Sequence, residues 1–131
     1  FLTLYMIVGI GIDIVEIDRI KNSVEKYGDH FLNKVFTEKE KLYCCSKKVP
    51  YSSLAGRFAA KEAAFKALGT GLSNGIGWQM VEILNDALGK PTLHLYGKAK
   101  QLTDDLNASQ FHVSISHCKS NAVAQVILEV I

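Results

Sequence analysis

LAGRFAAKEAAFKALGTG, residues 54–71, is the stretch around which the rest of the chain is predicted to fold. It is rich in alanine, the strongest helix former. Ser52 or Ser53 can cap a helix that runs through Ala67 and stops at Gly69. The bulky apolar contacts of this helix come from Leu54, Phe58, Phe65 and Leu68. We therefore expect one long helix at the centre of the fold.

Strands are predicted on both sides of this helix. Ile7–Val15 is almost continuously apolar, as in a strand covered on both faces. Later segments with strand character are Met80–Leu84, Thr92–Tyr96, Phe111–Ser116 and Ala122–Val130. The second and third of these five strands are joined by a turn with Asn85, Asp86, Gly89 and Pro91, which favours a hairpin.

Shorter helices fill the remaining segments. Apolar residues spaced by three and four predict a helix from Ile17 to Tyr27 that stops at Gly28, and Asp29 can cap a short helix after it. Thr37 and Glu40 form a capping-box pattern at the start of a further helix. Another short helix is predicted over Lys98–Leu106. Helices lie mostly early and strands mostly late, so the fold class is α+β, with an antiparallel sheet against the long helix.

The composition fits a single domain over residues 1–131. Hydrophobic residues make up 48% of the chain, and the net charge of +2 is too small to argue for nucleic acid. The apolar opening is too short to span a membrane, so we expect no membrane association. Met6 is interpreted as the natural start, with residues 1–5 as either an upstream extension or a remnant of cloning. Three cysteines, an odd number with two adjacent, favour a reducing cytosol.

Asp13 is the first candidate for chemistry. A carboxylate in an apolar strand must be paired, hydrogen-bonded or metal-bound to offset its desolvation. It shares one side of the strand with Gly9 and Gly11, at period two. An aspartate at a strand end that caps the next helix remains an equally good interpretation.

Two further candidates lie in the long helix and near the C-terminus. Glu62 and Lys66 are four residues apart and share a helix face, although a solvated ion pair has the same spacing. In HVSISH, residues 112–117, the polar residues His112, Ser114 and Ser116 share one strand face, and His117 follows at the strand end, where a side chain can reach a ligand. A structural histidine is an open alternative there.

Several enzyme classes are excluded by missing motifs. GIGIDI at Gly9 has Ile14 where a dinucleotide fingerprint needs its third glycine. Gly69–Gly71 lacks the lysine and hydroxyl residue of a P-loop. No G-x-S-x-G nucleophile elbow accompanies Ser114 and Ser116, which argues against a serine hydrolase.

Three blocks together carry a family resemblance. GIGIDIVEIDRI (residues 9–20), LAGRFAAKEAAFKALGTG (residues 54–71) and HVSISH (residues 112–117) resemble, in order and spacing, the holo-acyl-carrier-protein synthases of the 4′-phosphopantetheinyl transferase superfamily. The resemblance runs from about Met6 to the C-terminus. It implies an enzyme that moves phosphopantetheine from coenzyme A to a serine of apo acyl carrier protein and releases adenosine 3′,5′-bisphosphate, in support of fatty acid biosynthesis.

The resemblance also implies roles for single residues. Asp13 and Glu62 are expected to hold one Mg²⁺, which prefers carboxylate oxygens completed by phosphates and water. Lys66, one turn from Glu62, is expected to steady the phosphates or the leaving group. Arg57, His117, Pro91 and the loop of Gly69, Thr70 and Gly71 are expected to contact or border coenzyme A. Lys61 is a weaker candidate, interpreted as a solvated charge beside Glu62.

Partners follow from the same resemblance. The family is typically a homotrimer with its active sites at subunit interfaces. Residues 17–48 hold eight Lys or Arg against five Asp or Glu, a balance that favours encounter with an acidic carrier protein. Arg19 matches the position that helps to dock the carrier, although a solvated helix face is the alternative.

Two rival functions stay open on the residues alone. One is a metal-dependent phosphohydrolase of small nucleotides, in which the same carboxylates activate water. The other is a module that binds coenzyme A without transferring anything.

Overall fold

A computed structural model describes residues 5–72 and 75–131 of the chain. The strands are β1 (Met6–Glu16), β2 (Val81–Asn85), β3 (Pro91–Leu95), β4 (Gln110–His117) and β5 (Asn121–Val130), and the helices are α1 (Ile17–Tyr27), α2 (Asp29–Val35), α3 (Glu38–Cys45), α4 (Tyr51–Leu68) and α5 (Gly97–Asp105). A short 3₁₀ helix, Trp78–Met80, precedes β2. The α+β class is confirmed.

The strands form two antiparallel sheets instead of one. The first has the order β1-β5-β4, and the second is the β2–β3 hairpin. Helix α4 packs across β1 and β5, and it also contacts β2, β4, α1, α3 and α5. The predicted long helix is therefore the central element of the fold. The elements that carry Asp13, Arg19 and His117 all contact it.

The close approach of β1 to α4 depends on two glycines. A Cβ added to Gly11 would lie 1.9 Å from the carbonyl oxygen of Ala63, and one added to Gly9 would lie 2.4 Å from that of Ala67. Both distances are far below any real contact, so the strand lies directly against the helix backbone. Asp13 is the next residue on the same face of β1.

The opposite face of the three-stranded sheet is open. Ile10, Ile12 and Ile14 point away from α4, and each is about three-fifths exposed, at 59%, 59% and 66%. In the same cross-strand rows lie Ile127, Gln125 and Val123 of β5. His112, Ser114 and Ser116 of β4 complete the rows, so this face, which we call the outer sheet face, is apolar at one edge and polar at the other.

Several local predictions are confirmed, and two are wrong. Thr37 and Glu40 form a full capping box, and Gly28 and Gly69 end α1 and α4. Asp29 does not cap α2, because Gly28 occupies the N-cap position without a side-chain cap and Asp29 is the first helical residue. The predicted Ser52 or Ser53 cap of α4 is wrong, because the helix starts at Tyr51 with Pro50 at its N-cap and no side-chain cap. Both serines lie inside the first turn. Proline lacks an N–H and has a helix-compatible φ, which suits it to a helix start.

Two other observations bear on the sequence predictions. Among the described residues, no helix is long and apolar enough to cross a membrane. The interpretation of residues 1–5 as an extension falls almost entirely outside the described residues.

The contact between β1 and α4 makes a direct stability prediction. Gly11→Ala is expected to lower the free energy of unfolding by about 3 kcal/mol, because the added methyl overlaps backbone atoms that cannot rotate away. Gly77→Ala is the matched control, since a Cβ there meets nothing within 4 Å and Gly77 has a negative φ. Urea denaturation of both variants measures the difference, and equal stability would contradict the account of the β1–α4 contact.

Candidate active site

Asp13 and Lys66 form the first part of the site. The Lys66 ammonium lies 3.0 Å from a carboxylate oxygen of Asp13 and 3.0 Å from the carbonyl oxygen of Ile12. The sequence had paired Lys66 with Glu62 on one helix face, whereas the ion pair crosses from α4 to β1. Asp13 therefore has the cationic partner that its place in an apolar strand requires.

Glu62 lies within electrostatic range of this pair. Burial raises the pKa of its carboxyl, and the negative charge of Asp13 raises it further. The positive charges of Lys66 and Arg19 act in the opposite direction without cancelling the rise. Two carboxylates that repel each other inside a half-buried site are a ready place for a cation.

The donor set fits magnesium better than a transition metal. In the described part of the chain, no group of three or more His, Cys, Asp or Glu side chains is clustered as a metal cage. Asp13 and Glu62 offer only hard oxygen ligands. Mg²⁺ is commonly held by one or two carboxylates, with substrate phosphates and water completing its octahedron. The two carboxylates thus fit an ion that arrives with, or is completed by, a phosphate substrate.

A cleft of about 210 Å³ forms the second part of the site. Arg57 and Gly56 of α4 line one wall, while Asn85, Gly89 and Pro91 of the hairpin line the other. His117, at the end of β4, and Tyr43, from α3, also face the cleft. The structure thus brings together three residues that the sequence assigned to coenzyme A, namely Arg57, Pro91 and His117.

The Arg57 guanidinium is held in place by its neighbours, but one of its N–H groups has no hydrogen-bond partner in the part of the chain that the structure describes. Its guanidinium donates to the side-chain oxygens of Asn85 and Ser53, and it stacks over the Tyr43 ring at 4.3 Å from the ring centre. Within the described residues, its Nε is the one buried side-chain nitrogen or oxygen without a hydrogen-bond partner. A buried, fixed cation with a spare donor is well suited to bind an anion such as phosphate.

Gly69, Thr70 and Gly71 do not join this cleft. Gly69 caps α4 in the left-handed conformation, twelve residues beyond Arg57, which corresponds to about 18 Å along a helix axis. Within one chain, the loop therefore lies nearer to Lys66 than to Arg57. Its assignment to the nucleotide stays a prediction.

Lys61 corrects a prediction. The sequence interpretation made it a solvated charge, but its side chain is fully buried and paired with Glu40 of α3, at 2.8 Å. Burial lowers the pKa of Lys61, and the neighbouring Glu40 opposes that shift. One position along the helix rotates a side chain by about 100°, so Lys61 points into the core while Glu62 faces β1.

Arg19 lies at the rim between α1 and α4. Its guanidinium lies 5.8 Å from the centre of the Phe58 ring, and its charge reaches Glu62. Solvation of an exposed helix face, the alternative interpretation of Arg19, does not describe the whole side chain, because its guanidinium lies over the Phe58 ring of α4. Its predicted role in carrier docking is not tested by these contacts.

Sequence reasoning missed Tyr43 and Asn85. Tyr43 stacks on Arg57. Asn85 accepts a hydrogen bond from the Arg57 guanidinium and lines the same cleft. Asn85 had been interpreted only as a turn residue. An aromatic residue three positions after the buried Glu40 of the capping box was the available signal for Tyr43, since residues three apart share a helix face.

The sequence and the structure of this chain are similar to those of known proteins. Residues 9–126 match the family model described as 4′-phosphopantetheinyl transferase superfamily. A holo-[acyl-carrier-protein] synthase of Protochlamydia amoebophila is 53% identical over 119 residues, covering 91% of this chain and 95% of the relative.

Solved structures agree with this match. A Bacillus anthracis holo-(acyl-carrier-protein) synthase in complex with CoA (3′,5′-ADP) has a TM-score of 0.80 and 41% identity, covering 96% of this chain and 99% of its own. A Helicobacter pylori holo-[acyl-carrier-protein] synthase in complex with coenzyme A has a TM-score of 0.80 and 34% identity, covering 91% and 98%.

The raised pKa of Glu62 makes a prediction about stability. A carboxyl whose pKa is raised by folding makes the folded state less stable once it ionises, above both pKa values. Glu62→Gln is therefore expected to raise the melting temperature at pH 8 in EDTA by up to about 4 °C, and to change it little at a pH where Glu62 is protonated. Differential scanning calorimetry at both pH values measures this. A lower melting temperature of Glu62→Gln at pH 8 would contradict the raised pKa of Glu62 in the folded state.

Proposed function

The chain belongs to the 4′-phosphopantetheinyl transferase superfamily and is a holo-[acyl-carrier-protein] synthase, and from that premise we propose how its own residues divide the work. The enzyme transfers phosphopantetheine from coenzyme A to an apo acyl carrier protein. The serine oxygen of the carrier forms a bond to the β-phosphorus of coenzyme A, and its proton passes to Glu62 or to water. The bond to the bridging oxygen breaks, and adenosine 3′,5′-bisphosphate leaves with that oxygen.

Asp13 and Glu62 are assigned to one Mg²⁺. The support is the charge repulsion between two half-buried carboxylates and their all-oxygen donor set. When bound, the ion supplies a Lewis acid for the pyrophosphate. Lys66 is assigned to the phosphates because its ammonium already lies within 3.0 Å of Asp13, on the same side of the site. Lys66, together with the ion that Asp13 and Glu62 would hold, would offset the negative charge of the phosphates and align the reacting groups, which is the main task in phosphoryl transfer.

Arg57 and His117 are assigned to the phosphates of the nucleotide end of coenzyme A. The support is the cleft that they share with Gly89 and Pro91, and the unpartnered Nε of Arg57. The guanidinium offers a fork of donors that matches phosphate oxygens. We keep Gly69, Thr70 and Gly71 as a loop that borders coenzyme A.

Within one chain, the Gly69–Gly71 loop lies far from the Arg57 cleft. We therefore propose a homotrimer whose active site is shared between subunits. The support is the outer sheet face, where Ile10, Ile12 and Ile14 are exposed side by side. Contiguous exposed apolar residues of this kind mark protein interfaces. A shared site would also let the Gly69–Gly71 loop of one subunit lie near the Arg57 cleft of another.

Arg19 is assigned to carrier docking. Its support is the local excess of basic residues over residues 17–48 and the exposure of Arg19 itself on α1. An acidic carrier is steered toward such a surface before specific contacts form. We place the reaction in the cytosol, since Cys44, Cys45 and Cys118 are all free thiols.

Intact-mass spectrometry of apo acyl carrier protein tests the reaction and the metal together. With coenzyme A and Mg²⁺, the carrier is expected to gain one phosphopantetheine group, and EDTA should abolish the gain. Asp13→Asn and Glu62→Gln should each lower kcat/KM by about 10²–10³-fold, the scale of removing one charge-stabilising group. Asp104→Asn, an exposed carboxylate in a surface ion pair, is the matched control and should be silent.

Other outcomes of this assay select other functions. Release of adenosine 3′,5′-bisphosphate without a mass gain would indicate a phosphohydrolase. Binding without either product would indicate a coenzyme A module. Run over a range of carrier concentrations, the same assay tests Arg19: Arg19→Glu should raise KM for the carrier alone, and an equal loss of coenzyme A affinity would remove the docking role.

The homotrimer is tested by Ile12→Glu. A carboxylate in the middle of the exposed row Ile10, Ile12 and Ile14 should dissociate the assembly and lower transfer, since a buried unpaired charge is costly. Leu88→Glu is the matched control, because Leu88 is 96% exposed at the tip of the hairpin. Light scattering coupled to size exclusion measures the mass of both variants. A wild-type monomer, or a trimer that survives Ile12→Glu, would refute this interface.

A further inference from the structure

A fully buried ion pair lies outside the chemistry described so far. Lys61 of α4 and Glu40 of α3 are both 0% exposed, and their charged atoms are 2.8 Å apart. Burying two charges costs much of what their attraction returns, and an apolar pair of similar volume is often as stable. Stability alone is therefore a weak reason for this pair.

The pair connects three elements at one point. One carboxylate oxygen of Glu40 accepts from the backbone N–H of Thr37 at 2.9 Å, and the other accepts from that of Ile83 at 2.8 Å. The Lys61 ammonium donates to the carbonyl oxygens of Trp78, at 3.0 Å, and Val81. We call Glu40, Lys61, Val81 and Ile83 the inner layer, which joins α3, α4 and β2.

A second layer of contacts joins the same three elements at the cleft. Tyr43 of α3 stacks on Arg57 of α4, and Asn85 of β2 accepts a hydrogen bond from the same guanidinium. We call these three residues the outer layer. In contrast to the inner layer, it faces the space assigned to the nucleotide.

The spacing of the two layers matches on every element. Glu40 and Tyr43 are three residues apart on α3, and Lys61 and Arg57 are four apart on α4, so each pair shares a helix face. Ile83 and Asn85 are two residues apart on β2, so a fixed Ile83 amide leaves only one short stretch of strand, about 7 Å, between it and Asn85. Because the elements are rigid over these short distances, fixing the inner layer fixes the register of the outer layer.

We propose that Glu40 and Lys61 are positioning residues that set the register of Tyr43, Arg57 and Asn85 for the nucleotide phosphates of coenzyme A. The inference rests on the proposed function of the cleft. Hydrogen bonds to backbone groups have fixed directions and lengths, whereas apolar contacts tolerate sliding. The buried pair therefore holds the hairpin at one distance and one register from α4, and the cleft between them keeps one width.

The test separates positioning from stability. Lys61→Met removes the charge at similar size, and Glu40→Met/Lys61→Met replaces both charges, so no unpaired carboxylate remains in the core. Binding of adenosine 3′,5′-bisphosphate is measured by isothermal calorimetry, and kcat is measured at saturating coenzyme A. Lys100→Met is the matched control, because it breaks an exposed ion pair away from the cleft.

Positioning predicts a weaker Kd at unchanged stoichiometry. Both variants should lose about tenfold in affinity, the scale on which residues that orient a ligand-binding group act. Their kcat at saturating coenzyme A should fall far less, and the control should match the wild type. A purely structural role would instead lower the fraction of binding-competent protein and leave Kd unchanged, which would overturn the proposal.

Two measurements on the wild type complete the test. If the wild type itself fails to bind adenosine 3′,5′-bisphosphate, the proposed function fails, and not only this inference. If both variants fail to fold, hydrogen exchange of the Ile83 amide in the wild type decides. Ligand in the outer layer should slow that exchange if the two layers are coupled, since coupling between sites is reciprocal. Unchanged exchange at saturating ligand would overturn the proposal.

Discussion

The direct contact between the backbone of β1 and the backbone of α4 is the constraint on which the rest of the structure depends. Gly9 lies against Ala67 and Gly11 against Ala63, each too close for a side chain. Two strand residues advance about 6.7 Å and four helix residues about 6 Å, so the two elements stay in step. Asp13 is the next residue on this face of β1, and its side chain meets the Lys66 ammonium and the charge of Glu62. The contact that fixes β1 against α4 therefore also fixes the position of the proposed metal ligand Asp13.

One helix then serves two sites on two of its sides. Glu62 and Lys66 face β1 and the proposed metal site, whereas Arg57 and Lys61 face α3 and the hairpin. Coenzyme A suits this arrangement, because its pyrophosphate can lie on the proposed metal side of α4 while the phosphate of its nucleotide lies in the Arg57 cleft. The cost is visible in the raised pKa of Glu62, whose charge folding disfavours and a cation would stabilise.

Local patterns in the sequence predicted much of this fold, because they depend on neighbours in the chain. The glycine stop of α1, the capping box of Thr37 and Glu40, and the β2–β3 hairpin all follow from residues a few positions apart. The start of α4 at Tyr51, with Pro50 as its N-cap, was missed because two good capping serines directly follow Tyr51. Asp13, Glu62 and Lys66 could be chosen as a set only through the family resemblance.

The remaining features depend on contacts that no local pattern encodes. Lys61 and Lys66 lie in the same alanine-rich helix, yet one is fully buried and the other is half exposed, because different elements pack against their two faces. Tyr43 and Asn85 meet at Arg57 from segments far apart in the chain. Only the packing of α3 and the hairpin against α4 reveals that these residues surround one cation.

Anomalous diffraction from crystals grown with coenzyme A and Mn²⁺ in place of Mg²⁺ tests the central claim most directly. The account predicts one manganese peak bound by carboxylate oxygens of both Asp13 and Glu62 and by pyrophosphate oxygens of coenzyme A. It also predicts the nucleotide phosphates against Arg57 and His117. A manganese peak elsewhere, or coenzyme A bound with its pyrophosphate away from the two carboxylates, would contradict it.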